Sequence, residues 1–304
     1  MIYFLLSVGF TVCLYLIMRA YPSFKVNSFH AIVFNYFACV ATGLLLTPDL
    51  QVFSQIDYFS SGSLLSLALG ILFITVFLVI GLTAQKVSVT ASSLAANMSL
   101  VIPVVFGLFI FKNSNKEFSP LNYMGILFAL VALGLGGIKK KIPNHTNTVS
   151  ISTGVMLLPL LTFLGAGTNN TLINYLTSTY YGPDQSTIFM IIACSGAIIF
   201  GSTLLLGQLL VQDITLSWRS MIGGLILGIP NFLSLYFLLK ALAAFGNSAA
   251  FVFPIYNILT MLLSSLAAWI LYKERLNLIN KLGLLLAILA VILISYQELG
   301  LVSK

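Results

Sequence analysis

The sequence predicts an all-α integral membrane protein with ten transmembrane helices, built as two inverted five-helix repeats. Three observations carry this expectation. Hydrophobic residues make up 59% of the 304 residues and charged residues only 7%, with a mean hydropathy of +1.06, so lipid must solvate most of the chain. All seven acidic residues (Asp49, Asp57, Glu117, Asp184, Asp213, Glu274 and Glu298) lie between apolar runs. Finally, a series of short motifs in 82–138 recurs in the same order in 240–296.

The apolar runs read as helices at 2–18, 28–46, 63–83, 89–111, 120–138, 151–175, 187–210, 220–241, 248–271 and 279–296. Each comes close to the roughly 20 residues that cross the hydrocarbon core. The first run is followed by its first charge, Arg19, and no small-residue cleavage pattern follows, so it reads as a retained helix. Turn chemistry separates the runs: Tyr21-Pro22-Ser23, Thr47-Pro48-Asp49, Ser119-Pro120, Ile142-Pro143-Asn144 and Gly182-Pro183-Asp184. Residues 49–60, mixed polar and aromatic, suit a short interfacial segment. A basic linker, 139–150, opens on Lys139-Lys140-Lys141 and divides a first repeat, 1–138, from a second, 151–304.

In 82–138 a Ser/Thr/Ala-rich helix start leads through an apolar run to Lys116-Glu117, and Gly125 then opens another helix. In 240–296 the order is Gly246-Asn247-Ser248-Ala249-Ala250, an apolar run, Lys273-Glu274 and Gly283. The Lys-Glu pairs are 157 positions apart and the glycines 158. Five spans per half, an odd number, reverse the second half in the membrane. Two packings of the halves then become near-equivalent, one open to each side, with a site between them. Gly125 with Ala129, and Gly283 with Ala287, are small pairs four apart, which suits close helix packing within the protein or against a second copy. The chain is expected to be a monomer or a homodimer in the lipid bilayer.

The composition sets several classes aside. With no carboxylate in a span, a proton pump of the buried-acid kind is not expected. The net charge of +7 suits anionic headgroups, and without a soluble face there is no nucleic-acid footprint. Cys13, Cys39 and Cys194 sit in apolar runs without short spacing and read as small buried apolar residues. His30 and His145 are far apart in sequence, so no metal site and no cofactor is expected. No phosphate-binding loop is present.

Polar residues inside spans tend to face the bundle interior. Asn169, Asn170 and Asn174 fall in the sixth helix, with Asn170 and Asn174 on one face. They read either as a hydrogen-bonding row along a substrate path or as bonds that hold the bundle. Pro230-Asn231 breaks the eighth helix beside Gly228, which fits a hinge, a binding site or a tolerated kink. Pro103 and Pro254, in the fourth and ninth helices, are the matching hinge candidates. Asn97 and Ser99 precede Pro103, while Tyr256, Asn257 and Thr260 follow Pro254, and these form the candidate substrate site. Asn35, Tyr36 and Tyr236 are weaker candidates. Lys240 sits in Leu238-Leu239-Lys240-Ala241-Leu242, where it either snorkels to the interface or meets an anionic group of the substrate. Glu117 and Glu274, beside Lys116 and Lys273, read as solvated surface pairs.

Two stretches point to a known family. Val89-Thr90-Ala91-Ser92-Ser93-Leu94, leading to Ser99-Leu100-Val101-Ile102-Pro103, resembles the fourth helix of the ten-helix EamA-type branch of the drug/metabolite transporter (DMT) superfamily. Tyr272-Lys273-Glu274-Arg275-Leu276 resembles that branch's acidic turn before the last helix. The likeness spans nearly the whole chain, and it implies the ten-helix repeat and a transport activity. There are departures. Asn113 to Lys116 stand before Glu117 where the family has a tighter Gly-Glu turn, and the second-half proline is Pro254 where the match to Pro103 falls near Thr260 and Met261. The related four-helix multidrug transporters carry a glutamate in their first helix. Here that helix offers only Ser7, Thr11 and Tyr15 besides its ends, so their proton-coupled drug export is not implied.

Ten basic residues lie in the odd-numbered connections and four on the other side, which places both termini outside the cytoplasm, whereas the resemblance implies termini inside. The expected function is a secondary transporter, an exporter or facilitator, of small neutral or zwitterionic metabolites in a bacterial inner membrane. It is not expected to be an enzyme. A membrane-embedded lipid-modifying enzyme would need a cluster of His, Asp, Glu or Cys near one membrane face, and a structural protein would need no central polar cavity.

Overall fold

The computed structural model describes residues 2–103, 119–136, 153–181, 185–211, 215–244 and 249–297. Its α-helices are α1 (Ile2–Ala20), α2 (Ser28–Leu46), α3 (Ser61–Lys86), α4 (Val89–Met98), α5 (Pro120–Gly136), α6 (Thr153–Thr179), α7 (Ser186–Val211), α8 (Trp218–Ala244), α9 (Ala249–Tyr272) and α10 (Leu278–Ser295). No strand occurs among the described residues. Eight of these helices are long and apolar enough to cross a membrane, and α4 and α5 are shorter apolar helices. The chain is therefore an all-helical protein with the character of a multi-pass membrane protein. The expected interfacial segment is a short 3-10 helix, Leu50–Gln55.

Helix starts are set by side-chain caps that satisfy amides the helix itself leaves open. Asn27 Oδ1 accepts from the Phe29 and His30 amides, Ser88 Oγ from Ala91, and Asn277 Oδ1 from Asn280. At the end of α9, Lys273 takes a left-handed conformation (φ 52°) and the Glu274 amide returns to the Ala268 carbonyl.

The helices form two compact units, Met1–Gly81 with Asn169–Ala241, and Leu82–Thr168 with Leu242–Lys304. Each unit draws on both sides of the basic linker. In the first, glycines let helix backbones touch. A Cβ at Gly70 of α3 would strike the Ala197 amide nitrogen, and one at Gly196 of α7 would strike the Leu67 carbonyl oxygen. On α8, Gly224 and Gly228, four apart, lie on α2, where a Cβ would meet the carbonyl oxygens of Ala31 and Asn35.

In the second unit, α5 and α10 pack antiparallel along their length. Their contacts read the same in both directions. A Cβ on Gly125 would lie 2.9 Å from the Ile294 amide nitrogen and 3.0 Å from the Ala290 carbonyl, and one on Gly283 would lie 3.0 Å from the Gly136 nitrogen and 3.2 Å from the Ala132 carbonyl. Asn122 Nδ2 donates to the carbonyls of Leu293 (3.3 Å) and Ile294 (2.9 Å) at the end of α10. Asn280 Nδ2 donates to those of Leu135 and Gly136 (both 3.1 Å) at the end of α5. The small pairs Gly125/Ala129 and Gly283/Ala287 thus serve packing inside the chain. A core of Leu94, Met98, Phe163, Met261 and Val291 ties α4, α6 and α9 to this pair.

Candidate functional site

In the second unit, α4 and α9 run antiparallel. The start of α4 meets the end of α9, where the Val89 amide donates to Glu274 Oε1 at 3.1 Å. One turn further along, Ser264 Oγ donates to Ser93 Oγ at 2.6 Å. Four residues beyond that bond on each helix lie Asn97 and Thr260. On α4, Thr90, Ser93 and Asn97 follow a three-then-four spacing; on α9, Asn257, Thr260 and Ser264 repeat it. Each triplet marks one face of its helix. All six are buried, with exposures of 0% to 7%.

This row is only partly satisfied internally. Asn97 Nδ2 donates to the Ser93 carbonyl (2.7 Å) and to Ser93 Oγ (3.3 Å). The Oγ1 atoms of Thr90 and Thr260 are buried with no hydrogen-bond partner. A buried hydroxyl left unpaired costs roughly 1–3 kcal/mol, and one that persists calls for an account of what it awaits. Neutral oxygens and amides at this spacing can accept from and donate to an uncharged polar solute.

Pro103 leaves its mark at the end of this row. It has no amide to give the Ser99 carbonyl, and that carbonyl instead accepts from Ile102 at 2.9 Å. Leu100 likewise bonds to Asn97, three residues back, at 3.4 Å. The helix therefore breaks after Met98, Ser99 and Leu100 form a turn, and residues 101–103 are helical again. Ser99 is buried, with its Oγ turned back to the Ala96 carbonyl at 2.6 Å. Pro230 and Pro254 lie inside continuous helices, as does Pro159 of α6.

The structure distributes the other candidates differently. Asn170 and Asn174 share an exposed face of α6, while Asn169 is half-buried. Asn231 Nδ2 is committed to Asn35 Oδ1 (3.1 Å) and Cys39 Sγ (3.4 Å) in the first unit, which is the bundle-holding arrangement. Tyr256 is half-buried. Lys240 is exposed, its Nζ 5.5 Å over the Tyr236 ring, a cation–π contact at the helix end. Tyr36 is buried beside Phe73 and Phe77. Glu117 lies outside the described residues.

Glu274 corrects the expectation of a solvated surface pair. It is half-buried and turned onto the first amide of α4, where a carboxylate meets the positive end of the helix dipole. Asp49 and Asp57, by contrast, are exposed. Glu274→Gln is expected to keep the hydrogen bond and lose the charge, and Glu274→Ala to lose both. Stability should therefore fall in the order wild type, Gln, Ala, by about 1 kcal/mol per step, and the melting temperature with it. Equal melting of all three would show that the contact contributes nothing. Thr90, Ser93 and Ser264, which share this row, are not among the residues the sequence singled out as candidates. Their signal was the three-then-four spacing, readable on either helix but meaningful only once the two faces met.

No protein-family model matches the chain. It is 26% identical over 271 residues to an uncharacterized protein of Haemophilus influenzae, covering 88% of each chain. A solved crystal structure matches with a TM-score of 0.53 at 12% identity, covering 96% of this chain and 97% of the other, so the two share a fold.

Proposed function

We propose that the chain is a secondary transporter of small neutral or zwitterionic organic metabolites, of the DMT, EamA-type kind, working in a bacterial inner membrane by alternating access between two inverted five-helix repeats. The observation that carries this reading is the reciprocity of α5 and α10. Asn122 and Asn280, Gly125 and Gly283, Ala129 and Ala287, and the capping positions Ser119 and Asn277 are all 158 residues apart. One antiparallel contact is written twice, as a two-fold axis in the membrane plane requires. The described spans hold no carboxylate, so the binding energy for a solute falls to amides and hydroxyls, which suit export or facilitated movement without an embedded acid.

On this reading Asn97, Asn257 and Thr260 contact the solute, and Pro103 and Pro254 lie where the helices flex. Thr260→Val separates this role from a structural one. It removes an unpaired hydroxyl, so the ligand-free protein should gain about 1 kcal/mol or more. It should also lose any stabilisation by ligand. The test is a thermal-shift screen of neutral and zwitterionic metabolites on purified wild type, Thr260→Val and Asn257→Ala. A hit on wild type that weakens at least tenfold in both variants supports the site. A hit unchanged in both places the site elsewhere.

A further inference from the structure

Lys25 and Arg219, far apart in sequence, come together at one end of three spans in the first unit. The turn after α1, Tyr21–Phe24, is docked on the first turns of α8. Tyr21 Oη donates to the Gly223 carbonyl at 3.1 Å, and the Asn27 amide donates to Ser220 Oγ at 2.9 Å. Val26 packs on Gly223, where a Cβ would lie 3.1 Å from its Cγ1. Lys25 stands two residues before Asn27 and Arg219 one before Ser220, so that bond brings the two bases to one spot, and both are exposed. Neither 19–30 nor 215–223 contains an acid, whereas Asp49 and Asp57, beyond the other end of α2, are exposed. Asp213 lies outside the described residues.

Two large aromatic side chains flank the bases. Phe24 is 67% exposed and Trp218 69%. Aromatic and basic residues at the end of a span belong at headgroup level, with the ring towards the lipid and the charge towards water. Below Trp218 the exposed face of α8 continues through Ile222, Leu225, Ile226 and Ile229. Steps of four, seven, eight and eleven from Trp218 keep them on one side of the helix. Eleven residues at 1.5 Å each reach roughly 16 Å, about half of the ~30 Å hydrocarbon core. Bases, an aromatic collar and an apolar stripe one leaflet deep are thus stacked in the order of a phospholipid's headgroup, glycerol and acyl chain.

We infer that Lys25 and Arg219 hold the phosphate of an anionic phospholipid whose acyl chain lies along the Trp218 to Ile229 face of α8. A guanidinium grips a phosphate with two parallel hydrogen bonds, and the Lys25 ammonium adds a point charge. A zwitterionic lipid carries its own cation beside the phosphate, which two bases repel. An anionic headgroup is therefore the one selected. This site belongs to the lipid around the chain and does not rest on transport.

Trp218 is itself the reporter, since it and Trp269 are the two tryptophans of the chain. The full chain, on a Trp269→Phe background, is placed in phosphatidylcholine vesicles. A minor fraction of either phosphatidylglycerol or phosphatidylcholine carries bromine on its acyl chains, and quenching of Trp218 fluorescence is read. At about fivefold per base, brominated phosphatidylglycerol should quench at a fraction roughly tenfold lower, or less, than brominated phosphatidylcholine needs. Arg219→Gln should cut this preference about fivefold, and Lys25→Gln with Arg219→Gln should abolish it. Arg275→Gln with Lys281→Gln removes the same net charge at other exposed positions and should leave it intact. Glycerol phosphate, a headgroup without chains, should not relieve the quenching. The inference is overturned if the two lipids quench alike, or if neither quenches because protein covers this face. It also falls if the preference survives loss of both bases, if the control pair loses it equally, or if glycerol phosphate displaces the lipid.

Discussion

Replacing Gly196 with alanine is expected to destabilise the protein by about 3 kcal/mol, the upper end of the usual cost of overpacking. The new Cβ would strike the Leu67 carbonyl oxygen, which is backbone, so no side chain can rotate away and α3 and α7 must separate. Gly70→Ala meets the same interface from the other helix and should behave alike. The controls are Gly134→Ala and Gly207→Ala, where nothing lies within 4 Å of the added atom. There alanine should stabilise by roughly 0.5–1 kcal/mol, the ordinary helix preference over glycine. One substitution, made at four sites, should thus give opposite signs. Thermal unfolding in detergent reads it directly, and the packing account fails if Gly196→Ala and Gly207→Ala melt together.

The second large effect is expected at the asparagines of α5 and α10. Asn122→Ala leaves the Leu293 and Ile294 carbonyls without their donor, and Asn280→Ala does the same to Leu135 and Gly136. At about 1 kcal/mol per hydrogen bond, each change should cost about 2 kcal/mol. Asp at either position should be worse than Ala, since it presents oxygens to carbonyl oxygens. The two sites lie towards opposite ends of α5, at residue 122 and at 135–136, roughly 20 Å apart at 1.5 Å per residue, so the double variant should be additive. Asn122 also accepts from the Ser119 amide at 2.9 Å, closing the first turn of its own helix. Similar costs at both positions are what a duplicated contact predicts. A large cost at one and none at the other would count against the repeat.

Much of the helical layout was legible because the bilayer imposes it. Apolar runs of spanning length, broken by proline and glycine turns, left little freedom, and the observed boundaries fall within a few residues of those expected, except in the fourth run, where α4 ends at Met98 rather than at 111 and residues 104–118 lie outside the described ones. The 158-residue offset was legible for the glycines, and the structure extends it to Asn122 and Asn280, polar residues at helix starts that hydropathy alone gives no reason to pair. Assignment of candidate residues was weaker, since a span's sequence shows a polar group but not its partner. Asn231 read as a site residue, with no sign in the sequence that its Nδ2 donates to Asn35 and Cys39. Asn170 and Asn174 share a face as expected, but an exposed one. Glu274 read as a loop acid because nothing in the sequence shows that the start of α4 returns to it.

The central claim is transport of an uncharged polar solute, and counterflow in proteoliposomes tests it most directly. Vesicles preloaded with one metabolite and diluted into its labelled form, with no ion gradient, report exchange through a site that alternates between the two sides. The account predicts protein-dependent accumulation of at least one neutral or zwitterionic metabolite, reduced at least tenfold by Thr260→Val. Accumulation no faster than in protein-free vesicles across the whole panel would contradict it.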